Sequence, residues 1–293
     1  MKRKRITAAA LLLMLVLCAA FASPAWAEGC APVAQNLELK TYRNVSAGGS
    51  LSAYDPDGDV VGYEITTKPV KGTLQVKDDG SFVYTPRPNK RGKDYFGYKA
   101  IDAEGNRSQE ATAIIHIEKQ KSDLQYEDMR GRAGEYAAIE LSESGVFTGE
   151  KLGERYCFFP DRPVQRGEFL EMCMLSCRKP LINGVFSTGY SDDADMSDHT
   201  KALVATAAMG DGKPRSGAYD ADALITLREA AVIQNQMLGL YDVSNEGTLD
   251  ETMQACCNLA SVGVLILPEP EERLLTREMA AEMLVKAMAL NLD

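Results

Sequence analysis

At 293 residues the chain is long enough for two or three compact units, and its 45% apolar content excludes wholesale disorder. A formal net charge of −10 argues against nucleic acid as a partner, because binding phosphates needs a basic footprint. With two histidines and no Cys-x-x-Cys, neither a zinc site nor a Ser-His-Asp or Cys-His arrangement has the residues it needs, so the chain reads as non-catalytic.

The N-terminus carries Lys2-Arg3-Lys4-Arg5, a nearly unbroken apolar run from Ile6 to Phe21, and Ala25-Trp26-Ala27, a small-x-small cleavage site. Residues 1–27 read as a secretory signal cut before Glu28, with an uncleaved anchor as the competing reading. Cleavage leaves no transmembrane segment. Secretion permits disulfides among Cys30, Cys157, Cys173, Cys177, Cys256 and Cys257, and six cysteines allow 15 pairings. The alternative is that they are small buried apolar residues.

Residues 28–118 alternate apolar and polar positions between turn signals, the pattern of short antiparallel strands in a two-sheet sandwich. Leu74-Gln75-Val76 and Phe82-Val83-Tyr84 flank a turn at Gly80, and Tyr95–Ala100 and Thr112–Ile117 flank residues 102–106. The stretches Asp55-Pro56-Asp57-Gly58-Asp59, Gly80–Pro86 and Asp94–Tyr98 resemble bacterial Ig-like or cadherin-like modules. Asp55, Asp57 and Asp59 alternate around a glycine and are candidate calcium ligands. The other reading is a turn whose Asp side chains bond their own backbone. No other cofactor is expected.

Residues 119–125 are short and charged and are expected to be a linker, with a hinge at Glu118–Asp123. Beyond it the apolar period changes to about 3.6. One pattern then occurs three times, as Tyr126-x-Asp128, Tyr190-x-Asp192 and Leu240-x-Asp242, each followed by an Arg-bearing helix start at 164–168, 225–229 and 275–278. Asp192 to Leu227 and Asp242 to Arg277 are both 35 residues apart, whereas Asp128 to Arg166 is 38. Repeats at 126–185, 186–239 and 240–293 are too small to bury their own apolar stripes, so three copies around a common axis are expected. The stripes are Phe169, Met172, Cys173 and Cys177; Ala230, Ile233, Met237 and Leu240; and Ala280, Met283, Leu284 and Ala287.

These copies resemble S-layer homology (SLH) repeats. The whole then reads as a multidomain chain: an all-β Ig-like sandwich followed by an all-α, pseudo-threefold bundle of three SLH repeats. The resemblance implies a secreted protein held non-covalently at the cell wall or S-layer surface by an acidic secondary cell-wall polysaccharide, often pyruvylated, with the sandwich free to meet a protein partner. The competing function is a structural or adhesive protein whose degenerate repeats make protein contacts instead.

Physical chemistry supports a ligand role for the arginines. Thr226 and Glu229 form a Thr-x-x-Glu capping box and Thr276 caps similarly, so Arg277 opens its helix, where exposed N–H groups favour anions. The Arg fork matches a carboxylate. A groove lined by Arg166 and Arg277 therefore suits an acidic glycan. Arg228 sits one position late, which turns it by about 100°. Asp128, Asp192 and Asp242, with Tyr126 and Tyr190, complete the candidate site. The bland alternatives are Arg–Asp pairs within each repeat and core tyrosines.

Overall fold

The computed structural model describes residues 30–56, 58, 60–209, 216–240, 249–266 and 272–290. Residues 1–27, expected to be a secretory signal, lie outside the described residues, as do Asp57, Asp59 and Asp242. An N-terminal β-sandwich is followed by a helical region that has six α-helices among the described residues.

The sandwich strands are β1 (Val33–Ala34), β2 (Leu37–Tyr42), β3 (Ala47–Ser50), β4 (Ala53–Tyr54), β5 (Val60–Thr67), β6 (Gly72–Val76), β7 (Ser81–Pro86), β8 (Gly92–Asp102) and β9 (Ala111–Glu118). One sheet has the order β2-β9-β8-β5, the other β3-β7-β6, and β1 pairs with β4. All pairings are antiparallel except β2 with β9. The period of two decides what is inside: Ala111, Ala113, Ile115 and Ile117 of β9 meet Phe82, Tyr84, Phe96 and Tyr98 in one core. Both expected hairpins form, and Gly80 turns the first with a φ of 80°. Asp94, 3% exposed, is tolerated because its carboxylate accepts from the amides of Val70 (3.0 Å) and Lys71 (2.8 Å) and from the Tyr84 hydroxyl (2.8 Å).

The helices are α1 (Glu135–Glu143), α2 (Arg166–Ser176), α3 (Asp198–Ala207), α4 (Leu227–Leu238), α5 (Glu251–Ser261) and α6 (Arg277–Met288). A hairpin of β10 (Glu150–Leu152) and β11 (Arg155–Cys157) interrupts the first pair. Just before α2, α4 and α6 run three short extended segments, and each is bridged to the other two: Pro163 with Thr276, Gln165 with Leu224, Thr226 with Leu274. Their central residues close a cycle. Val164 N–H donates to Leu275 C=O (2.9 Å), Leu275 N–H to Ile225 C=O (2.9 Å), and Ile225 N–H to Val164 C=O (3.2 Å). All three residues are fully buried, so these amides have no water to fall back on.

A second ring lies outside the first. The opening amides of α2, α4 and α6, from Arg166, Leu227 and Arg277, donate to the carbonyls of Ala223, Arg273 and Arg162 at 2.9, 2.8 and 3.0 Å. Arg166, Leu227 and Arg277 are therefore equivalent positions. The predicted stripes face inward: Phe169, Met172, Cys173, Ala230, Met237, Ala280, Met283, Leu284 and Ala287 all belong to the helical core. The cysteines among the described residues are all free thiols, and burial pushes the Cys173 thiol well up from its ordinary value.

The two domains are fastened together rather than hinged at 118–123. Tyr42 and Val45, from the end of β2 and the turn after it, are buried in the helical core, and the Tyr42 ring lies 5.1 Å from that of Tyr136. The Tyr42 hydroxyl donates to Glu140, Ser122 N–H donates to Glu143 (2.8 Å), and Gly48 N–H donates to Ala133 C=O (2.8 Å).

The α4 capping box is complete: Thr226 accepts from Glu229 N–H (3.2 Å) and Glu229 accepts from Thr226 N–H (2.8 Å). Replacing Thr226 with Ala removes half of it and should cost about 1 kcal/mol in urea unfolding. An unchanged midpoint would show that the box adds nothing to stability.

Candidate functional site

The residues singled out in the helical region converge on the junctions between the helix pairs α1–α2, α3–α4 and α5–α6. Asp128 accepts from the amides of Phe158 (2.9 Å) and Phe159 (2.7 Å), and Asp192 does the same for Tyr219 (2.9 Å) and Asp220 (3.0 Å). Each carboxylate thus staples the loop that returns toward the next helix. Phe159 and Asp220, the second residue stapled in each case, both have positive φ, 57° and 53°, in the left-handed region that non-glycine residues rarely adopt. Tyr126 is 1% exposed, stacked edge-on to Phe158, with its hydroxyl accepting from Gly149 N–H (3.1 Å). Tyr190 makes the corresponding edge contact with Tyr219. Tyr126 is a core aromatic and offers no face to a sugar; Tyr190 is half-buried.

The arginines reach across junctions rather than back to their own Asp. Arg277, 6% exposed, donates from Nη1 to Phe158 C=O (3.2 Å) and Glu150 (3.3 Å) and from Nη2 to Glu168 (3.3 Å), with Phe147 beneath its guanidinium at 4.9 Å. Arg166 repeats this one junction on: Nη1 donates to Tyr219 C=O (2.6 Å) and Nη2 to Glu229 (3.0 Å), with the Tyr219 ring 5.9 Å away. Burial opposes ionisation of Glu229, but the Thr226 amide and hydroxyl and Arg166 outweigh it and hold the carboxyl below its usual value. Both guanidinium forks are thus occupied by the protein's own carboxylates and carbonyls. The expected open groove lined by Arg166 and Arg277 is replaced by two clasps.

At the third junction both clasp positions change together. Leu227 stands where the arginine would be, and Met279 where the glutamate would be. Within each repeat the pairs Leu227/Glu229 and Arg277/Met279 look mismatched; across junctions every pair matches. Burying a charge beside an apolar partner is costly, whereas exchanging both members is close to neutral. Arg228, turned away from this position, lies near Asp250, whose carboxyl is lowered first by the Met253 amide and also by Arg228. A groove of about 130 Å³ remains at this junction, lined by residues including Leu227, Met279, Met283, Arg273, Glu282 and Lys286.

Sequence reading missed the partners Glu150, Glu168, Phe147 and Met279. The one available signal was the glutamate two residues after Arg166 and after Leu227, absent after Arg277.

In the sandwich, the Asp55 carboxylate accepts from Gly58 N–H (3.1 Å). Among the described residues no three His, Cys, Asp or Glu side chains are grouped to hold a metal ion. His116 lies 3.4 Å from Glu38 in the sandwich and His199 2.9 Å from Glu171 in the helical region. Among the described residues no helix is long and apolar enough to cross a membrane.

Residues 30–119 match the family model of the bacterial cadherin-like domain. That stretch is a cadherin-like domain. Solved structures resemble parts of the chain only at low scores. The SrpA adhesin of Streptococcus sanguinis is 17% identical over 34% of this chain and 67% of its own, with a TM-score of 0.26. Fibronectin(III)-like modules of CbhA from Clostridium thermocellum are 15% identical over 33% and 51%, with a TM-score of 0.24. An endo-fucoidan hydrolase of glycoside hydrolase family 107, MfFcnA4, is 20% identical over 31% of this chain and 14% of the hydrolase, with a TM-score of 0.24. No curated protein matches the chain. At these scores nothing about activity passes to the cadherin-like domain or to the helical region.

Two outcomes test the junctions. Arg277→Leu strands Glu168 and should cost about 3 kcal/mol, while Arg277→Leu/Glu168→Met, which copies the third junction, should recover more than half of that loss in urea unfolding. A double variant no more stable than the single would refute the exchange argument. Acid tests the staples. The Tyr219 amide lowers the Asp192 carboxyl, and the Ser187 and Thr188 hydroxyls lower that of Asp193 from 3.8 to about 2. Because these values are depressed in the folded state, their stabilisation holds above the unfolded value and is lost as pH falls through the folded one. Near-UV circular dichroism from Tyr190 and Tyr219 should fade between about pH 4 and about pH 2.

Proposed function

We propose that the chain is a secreted, non-catalytic surface protein whose helical region is a pseudo-threefold bundle of SLH type, attached non-covalently to an acidic wall polysaccharide and carrying the cadherin-like domain. The observation that supports this reading is the closed hydrogen-bond cycle of Val164, Ile225 and Leu275, which ties together the segments before α2, α4 and α6 and is in keeping with three copies of one helix pair around an axis. The leader-like N-terminus and a cadherin-like domain fit placement outside the cell.

The occupied arginines favour a second reading, in which the bundle keeps the architecture and makes protein contacts instead of binding a glycan. A ligand carboxylate at Arg166 or Arg277 would have to displace Glu229, or Glu168 and Glu150. Co-sedimentation with purified cell-wall sacculi separates the two. The first reading expects binding to native sacculi and its loss once the acidic polymer is stripped. Equal binding to both preparations, or to neither, overturns it and leaves the second. Arg166→Ala/Arg277→Ala is the wrong variant for this purpose, since it would open two junctions whatever the ligand.

A further inference from the structure

The opening helices of the three repeats, α1, α3 and α5, solve the same problem in different ways. Each has N–H groups at its start with no intrahelical partner. In α3 the Ser197 side chain accepts from Thr200 N–H, and in α5 the Asp250 side chain accepts from Met253 N–H. At the same place α1 has Gly134, which has no side chain to cap with. A larger residue does not fit there, because a Cβ on Gly134 would lie 2.5 Å from Glu278 Cγ.

The missing cap comes from the cadherin-like domain. Tyr136 N–H, in the first turn of α1, donates to Ser46 C=O (3.0 Å), and the Glu135 carboxylate reaches back to accept from Ser46 N–H (3.0 Å). This is the reciprocal logic of a capping box, with its two halves 89 residues apart. Gly48 N–H on Ala133 C=O (2.8 Å) extends the contact, and no side chain at 48 is compatible with it, since a Cβ there would lie 2.6 Å from that of Ala133. The same turn also closes the ring. Glu278 of α6 accepts from Gly134 N–H (3.0 Å) and from Arg132 Nε (2.9 Å), joining the third repeat to the first where the sandwich docks.

We propose that the cadherin-like domain is the intramolecular template on which the helical region folds, supplying to α1 the cap that α3 and α5 carry themselves. A nine-residue helix is too short to hold without tertiary support. The domain that supports it leaves the ribosome first and has a core of its own. Ring closure comes next, because α6 docks on the turn that the sandwich has already set.

The test uses the full chain and two variants, Gly48→Val from the sandwich side and Glu135→Ala from the helix side. Hydrogen exchange at equilibrium should show amides 136–138 losing protection by about tenfold, with α3 amides 200–202 and the β8–β9 pair as internal references. Pulse labelling during refolding of the unmodified protein should show β8 and β9 protected before any of α1 to α6. Two results would each overturn the proposal: α1 protection unchanged in both variants, or helices protected before the strands. If Gly48→Val fails to form the sandwich, helices that still reach full protection in it count against the template as well.

Discussion

Three buried amides that satisfy one another in a circle hold the helical region together. Val164, Leu275 and Ile225 each give a hydrogen bond to one neighbour and take one from the other, so none can leave without stranding two partners. The outer elements depend on this cycle. The opening amides of α2, α4 and α6 find their carbonyls because the central segments are in register, and the helix starts are thereby placed where Arg277 meets Glu168 and Arg166 meets Glu229. With all three donors and all three acceptors used, the cycle has no open end.

Helix pairs that share a motif do not share all its duties. Asp128 and Asp192 do the same work on the same two backbone positions, so the Asp is a repeat-defining feature with a local cause. The arginine positions obey a different rule, because their partners come from the adjacent copy. Leu227 looks like the loss of a motif when repeat two is read alone. Beside Met279 it is one half of a coordinated exchange that leaves no charge stranded.

Much of this was legible in the chain. Period-two alternation marked the sandwich and the hairpins around Gly80 and residues 102–106, because half-buried strands leave that imprint directly. The 35-residue spacing marked the later repeats, and the Thr226–Glu229 box came from chemistry contained within four residues. Contacts between distant segments were not legible. Nothing near Ser46 announces that its carbonyl caps a helix beginning at Glu135, and nothing near Arg277 announces Glu150 or Phe147, since order along the chain does not say which copies lie side by side. The β10–β11 hairpin was missed because three-residue strands carry too little alternation to register. The expected hinge at 118–123 failed for a related reason: a charged stretch reports on its own solvation, whereas Tyr42 and Val45, far upstream, fasten the two domains.

Having two kinds of seam in one ring means that the ring does not have a single weakest point. Partly exposed ionic seams soften as dissolved salt screens them, while an aliphatic seam is reinforced by salting-out anions and loosens in the cold. Chilling therefore strains the ring beside Leu227, and brine strains it beside Arg166, so the place where the circle first parts is chosen by the surroundings.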